Sequence, residues 1–157
     1  MSSRANALIQ LAKKCNCNTY AEIGCMTGNT AVKLHKKHPL SDVILVDIIN
    51  NKLRKDLVSN LPYKFYHIPS VDASDKILDN SIDLCFIDAD HGYKYVLADI
   101  KAWLPKVKAD KIICGHDYSK TQHPGVVKAV HESFKDEEIN LIPDLDYNDV
   151  YVWWVRV

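Results

Sequence analysis

Glycine is scarce in this chain, five residues in 157. A G-x-G-x-x-G dinucleotide fingerprint is absent, and so is the G-x-x-x-x-G-K-[ST] loop of nucleoside triphosphatases. Neither charge sign is in excess, with 20 Lys and Arg against 20 Asp and Glu, so no global basic field argues for nucleic acid. No apolar run approaches bilayer-spanning length, and the start MSSRANALIQ lacks the apolar stretch of a secretion signal. A soluble, cytoplasmic protein is the expectation. The five cysteines are odd in number, which speaks against a disulfide frame, and Cys15-x-Cys17 lacks the spacing and the second pair of a zinc knuckle. Repeats and low-complexity tracts are missing too. At this length the chain is expected to form one domain, residues 1–157, around a single core.

What is present is an alternation of short apolar runs and amphipathic stretches. Residues 3–14 predict a leading helix, capped by Ser2 or Ser3, that covers one edge of a sheet. Thr19 to Gly28, TYAEIGCMTG, has the pattern of strand, glycine turn and helix start, and the helix follows over 28–37. Two small residues there let backbone N–H groups approach a ligand, and a helix N-terminus favours electron-rich groups. Further strands are predicted at 43–46, 64–68, 81–87 and 111–114, with helices at 51–59, 73–79, 93–103 and from Pro124. Ile139 to Ile142 and Val150 to Val157 are too close in sequence for a crossover, so they should pair as an antiparallel hairpin. Trp153 and Trp154 must face opposite sides of that last strand, so one of them needs helix cover or a partner. The whole predicts an α/β, doubly wound, Rossmann-like seven-stranded sheet, mostly parallel.

The polar candidates collect where predicted strands end: Glu22 and Gly24, Asp47, Asp72, Asp88 to His91, and His116 to Tyr118. In a doubly wound sheet these ends face one crevice. Asp47 lies 23 positions beyond Gly24, near the offset of roughly 20 at which a strand-end carboxylate takes ribose hydroxyls. Asp72 is placed to accept from a purine amine or to cap the next helix. Asp88, Asp90, His91, His116 and Asp117 suit either a hard divalent ion or the deprotonation of a hydroxyl. Asp88 and Asp117 are the metal pair on this reading, with His116 as ligand or base.

Together, Glu22 to Gly28, FIDADH at the fourth strand and GHDY at the fifth resemble the class I S-adenosylmethionine-dependent methyltransferases, in particular the small-molecule O-methyltransferases. The resemblance covers almost the whole chain and places the seventh strand antiparallel between the fifth and sixth. It implies S-adenosylmethionine as cofactor. The turn from Glu22 to Gly28, with Gly24 and Cys25, would hold its methionine part, Asp47 the ribose hydroxyls and Asp72 the adenine, with Ile48, Ala73 and Asp88 also among the cofactor-binding residues. Metal-dependent relatives bind magnesium at the positions of Asp88 and Asp117. Some carry an acid where this chain has His116, and others an Asn where it has Tyr118. Without a metal, His91 or His116 is the candidate base beside Asp88. The family commonly adds a lid, for which this chain offers only the leading helix and the 118–124 loop, so a homo-oligomer or a large acceptor is implied to close the site. The expected partner is a small-molecule or sugar hydroxyl. The alternatives are an inactive cofactor-fold subunit, or a metal-dependent sugar-nucleotide transferase using Asp88-Ala89-Asp90 as its D-x-D.

Overall fold

A computed structural model describes residues 3–49 and 52–157 of the chain. Its elements run α1 (Ser3–Lys14), β1 (Thr19–Ile23), α2 (Asn29–Lys37), β2 (Asp42–Val46), α3 (Lys55–Val58), β3 (Tyr63–Tyr66), α4 (Ser70–Ser74), β4 (Ile82–Ile87), α5 (Tyr93–Trp103), β5 (Val107–Tyr118), α6 (Pro124–Ser133), β6 (Asn140–Pro143) and β7 (Tyr151–Arg156). Ser2 and Asn51, on which an expected cap and the start of the expected third helix fall, lie outside the described residues.

The strands form one sheet in the order β3-β2-β1-β4-β5-β7-β6. Neighbours from β3 to β5 are parallel, while β7 runs antiparallel to both β5 and β6. The central strands are apolar on both sides because both faces are covered. One face carries Leu8, Leu11, Leu34, Phe86 and Val152, packed beneath α1 and α2. The other carries Ile23, Ile87, Ile100, Trp103, Val130 and Trp153, beneath α5 and α6.

The expectation that α1 covers a sheet edge is corrected. Its Leu8 and Leu11 share a core with Leu84 and Phe86 of the central β4. Since α5 and α6 both lie on the opposite face, α1 shields the β4, β5 and β7 side. Trp154 finds its cover there, with the Lys14 ammonium 5.1 Å from its ring centroid. The helix runs alongside β4 from end to end. Cys15 Sγ donates to the Asp83 carbonyl at one end, and Arg4 reaches Asp88 at the other. Further elements differ from expectation: α3 is confined to Lys55–Val58 within the expected 51–59, α4 starts at Ser70, directly after Pro69, instead of at 73, and β5 extends well beyond 111–114 in both directions. No described helix is long and apolar enough to cross a membrane.

Candidate active site

The chain adds β2 and β3 on one side of β1, then returns to place β4 on the other. That reversal opens a crevice at the carboxyl ends of β1 and β4, the place where doubly wound sheets bind ligands. The first turn is pinned into it, since the Gly24 and Cys25 amides both donate to the Val46 carbonyl, at 2.9 and 3.1 Å. Gly24 and Gly28 take φ of 86° and 77°. A Cβ on Gly24 would lie 2.3 Å from the Asp88 carbonyl oxygen, and one on Gly28 would lie 2.5 Å from Val58 Cγ1. Both glycines are therefore required by the chain's own packing, before any ligand is considered. Cys25 between them is buried.

Glu22 is buried and engaged by the fold. Tyr20 Oη donates to its Oε2 at 3.2 Å, and the Ala31 amide in the first turn of α2 also donates to it. Gly28, which precedes α2, provides no side-chain cap, so this strand carboxylate takes up one of the open amides of the helix start. Burial, reinforced by the Asp88 charge, pushes the Glu22 carboxyl up to about 8. A carboxyl raised on folding binds more protons folded than unfolded, so stability falls as pH rises from the ordinary carboxylate range through about 8. We expect the protein to be less stable at pH 9 than at pH 6 by about 1 kcal/mol or more, about 2–4 °C in Tm. Glu22→Gln should flatten that slope in urea melts run across this range. A slope unchanged in the variant would assign it elsewhere.

Asp47 stands at the end of β2 with both carboxylate oxygens aimed at backbone amides, Met26 N at 2.7 Å and Ile49 N at 2.8 Å. Each oxygen retains a lone pair for a hydroxyl donor. Around it Met26, Ile48 and Ile49 are all exposed, although large and apolar. His67 Nε2 holds this strand end by donating to the Ile48 carbonyl at 2.9 Å. Asp72 lies inside α4 and is solvent-exposed, while Ala73 beside it is buried.

At the end of β4, Asp88 accepts from Arg4 Nη1 at 2.7 Å and lies 3.8 Å from His116 Nδ1. Burial raises its pKa to about 6, against the pull of Arg4 and His116. Asp90 turns away and accepts from the Gly92 amide at 2.6 Å. Asp88 and Asp90 thus serve different partners, and the D-x-D spacing does not present them as a pair.

The fifth strand end depends on a break in register. The pairing of β5 with β7 shifts between Gly115 and Tyr118, and Asp117 takes a φ of 56°. In a regular strand, neighbours 116 and 117 would face opposite sides. The bulge turns both side chains to one place, with His116 Nδ1 3.0 Å from Asp117 Oδ1. His116 Nε2 lies 2.7 Å from Oδ2 of Asp144, a buried acid in the turn between β6 and β7. Burial alone would lower the His116 pKa, yet Asp117, Asp88 and Asp144 hold it above the usual imidazole value. Asp117 is half-buried, which would raise its pKa, but the His116 hydrogen bond and the nearby imidazoles keep it below the usual carboxylate value. On its other oxygen, Asp117 lies 2.8 Å from Nε2 of His91, whose ring is 48% exposed and stacks at a tilt on His123. Tyr118 belongs to the core, its hydroxyl 2.9 Å from His131 Nε2. The enclosed space over Ile87, Val96, Val126 and Trp153 is about 10 Å³, room for one water.

The trio expected to hold a metal is brought together: Asp88, His116 and Asp117 offer atoms all within 4.8 Å of one another. The donor set does not suit magnesium as it stands, because Arg4 already holds an Asp88 oxygen and each His116 nitrogen faces a carboxylate. Arg4 and Asp144 were not among the residues singled out in the sequence. Arg4 leaves one faint signal: a cation in the first turn of a helix opposes the helix dipole and needs an outside partner. Asp144 leaves none, being one of several acids in a polar turn.

The sheet order, the reversed seventh strand and the crevice at the strand ends define a class I methyltransferase fold. A family model described as a methyltransferase domain matches residues 21–118, and the chain belongs to that family. Over 52 residues, 33% of the chain, it is 36% identical to the uncharacterized protein y4gI of Sinorhizobium fredii, and it spans only 6% of that protein. Among solved structures it is similar to an O-methyltransferase from Bacillus cereus in complex with SAH, at 14% identity and TM-score 0.73, covering 99% of this chain and 81% of that one. An O-methyltransferase family protein from Burkholderia thailandensis aligns at 8% identity and TM-score 0.75, over 98% and 55% of the two chains. The spermidine synthase of Thermotoga maritima does so at 12% and 0.72, over 98% and 58%. At such identities the likeness lies in the fold, which hosts more than one chemistry.

Proposed function

We propose that the protein is an S-adenosylmethionine-dependent methyltransferase that methylates a hydroxyl of a small molecule or sugar. The observation that carries this reading is the accessible His91 held by the half-buried Asp117, at the crevice whose far side is the Asp47 cradle. The Bacillus cereus protein of similar fold, an O-methyltransferase in complex with SAH, supports it.

When bound, S-adenosylmethionine supplies a methyl group on a positively charged sulfur. Asp47 would accept the ribose hydroxyls, and the exposed Met26, Ile48 and Ile49 would offer apolar surface to the base. Glu22, Gly24, Cys25 and Gly28 shape the turn at the methionine part, and Asp72 and Ala73 border the adenine side. The structure separates the two histidines. His116 is buried with both nitrogens facing carboxylates, whereas His91 presents an accessible ring whose Nε2–H is fixed by Asp117. His91 Nδ1 is therefore the atom that would hold the proton released by the acceptor hydroxyl. Such a base contributes about 10²–10⁴ in rate, in addition to positioning. The small space between His116, Asp117 and Trp153 holds about one water, so the acceptor would sit outside it, beside the exposed His91.

Calorimetric titration with S-adenosylmethionine tests the reading. The wild type should bind, and Asp47→Asn should weaken binding about tenfold or more, since a charged acceptor for two hydroxyls is lost. A wild type that binds nothing sinks the proposal. Binding without methyl transfer to any hydroxyl in an acceptor screen would favour the inactive-subunit alternative.

A further inference from the structure

Arg4 is separated from Asp88 by 84 positions in sequence, yet its guanidinium lies 2.7 Å from the Asp88 carboxylate. The helix that brings it there spans about 18 Å, close to the length of the six-residue β4 beside it. That match lets the first turn of α1 arrive at the strand end where the acids gather. Counted by side chain, Asp88 faces Arg4, Asp117 faces His91 and His116, and Asp144 faces His116. With His123 Nε2 also 3.8 Å from Asp117, three carboxylates meet four basic groups. A bare pair of acids would attract a divalent ion, but here each already has an internal partner.

We infer that Arg4 occupies the cation position of this crevice, so that the chain supplies from α1 the positive charge that a divalent metal ion would otherwise bring. The inference deepens the methyltransferase reading by assigning it metal-free chemistry. It rests on that reading only for the reaction involved, because the binding test needs neither cofactor nor acceptor. Three features carry it. The Asp88 oxygen nearest to Arg4 is at charge-assisted hydrogen-bond distance. The guanidinium is part-buried beside a carboxylate whose side chain is only 12% exposed, so solvent screens the pair weakly. And His116 offers no free nitrogen, since both face carboxylate oxygens that can only accept. Arg4 is a positioning residue on this account: it holds the Asp88 side chain and closes the α1 side of the crevice.

The test is a titration of the cofactor-free protein with Mn²⁺, followed by the loss of its free-ion magnetic resonance signal. Wild type should leave the signal unchanged up to about 1 mM ion, and so should Arg4→Lys, which keeps a charge at the same place. Arg4→Met removes the charge but keeps an unbranched side chain suited to the helix. It should gain a Mn²⁺ site of millimolar strength or better, abolished again by adding Asp88→Asn. Circular dichroism on each variant confirms the fold before titration. Mn²⁺ binding by the wild type that Asp88→Asn removes would overturn the inference, and so would a folded Arg4→Met that gains no site. Failure of the wild type to bind S-adenosylmethionine would overturn the methyltransferase reading and leave this assignment standing.

Discussion

Gly24→Ala should be the most damaging single methyl group that can be added to this protein. The residue sits at φ 86°, in the left-handed region, and its Cβ would lie 2.3 Å from the Asp88 carbonyl oxygen and 2.7 Å from Ala89 Cα. Both obstacles are backbone, at the end of a central strand, so neither can swing aside as a side chain would. The Asp88 amide is moreover bonded to the Ile23 carbonyl at 2.8 Å, which fixes β4 against the residue just before the glycine. Relief would require separating β1 from β4 at the crevice. We expect a loss of about 3 kcal/mol or more in urea denaturation, combining backbone strain with overpacking, and loss of S-adenosylmethionine binding in what remains folded. Gly92→Ala provides the contrast. There φ is −71°, and a Cβ would meet only the side chains of Asp90 and Tyr95, at 2.9 and 3.1 Å, both on exposed residues. That variant should lose less than about 1 kcal/mol. Equal losses in the two would mean that the strand-end geometry does not set the demand for glycine.

The second large effect is expected at His116. It is 5% exposed and stands between Asp117 and Asp144, with Asp88 3.8 Å away. Removing the imidazole takes the facing base from the buried Asp144 and one of the bases from Asp117, while Arg4 stays on Asp88 and His91 on Asp117, and breaking a buried pair in this way typically costs about 3–5 kcal/mol. His116→Ala should accordingly lower Tm by roughly 10 °C. Because its pKa is raised on folding, the stabilisation by His116 is complete below the ordinary imidazole value and fades as pH rises through the higher folded value. The deficit of His116→Ala should be largest near pH 6 and shrink toward pH 9. Adding Asp144→Asn to it should recover part of the loss, since the buried acid that faced the imidazole is then neutral. Strictly additive losses in the double variant would show that the two residues do not work as a pair. Methyl transfer separates the histidines as well: His91→Ala should cost rate with little change in stability, whereas His116→Ala costs stability first.

The element order was legible in the sequence because it is written locally. Short apolar runs ending in Asp or Gly mark β1, β2, β4 and β5, and Pro124 marks the start of α6. The closeness of the last two runs revealed the antiparallel ending, which the sheet bears out with β7 between β5 and β6. Convergence of Asp47, Asp88 and Asp117 on one side of the sheet followed from parallel strands alone, since every such strand ends at the same edge. Helix boundaries were less legible. A helix is expected over 73–79, but the chain turns helical immediately after Pro69 and the regular turn stops at Ser74.

The glycine turn, the order of strands and helices, and the acids at the strand ends are properties of the sequence by itself, because each depends on neighbours within a few positions. The tertiary structure alone decided which basic group meets which acid. Arg4 reaches Asp88 because α1 lies along β4, and Asp144 reaches His116 because β7 inserts beside β5. His116 and Asp117 face the same place only because the β5 register slips against β7. Those pairings depend on long-range packing and register, which local residue patterns do not encode, and they decide whether the crevice holds a metal ion or its own arginine.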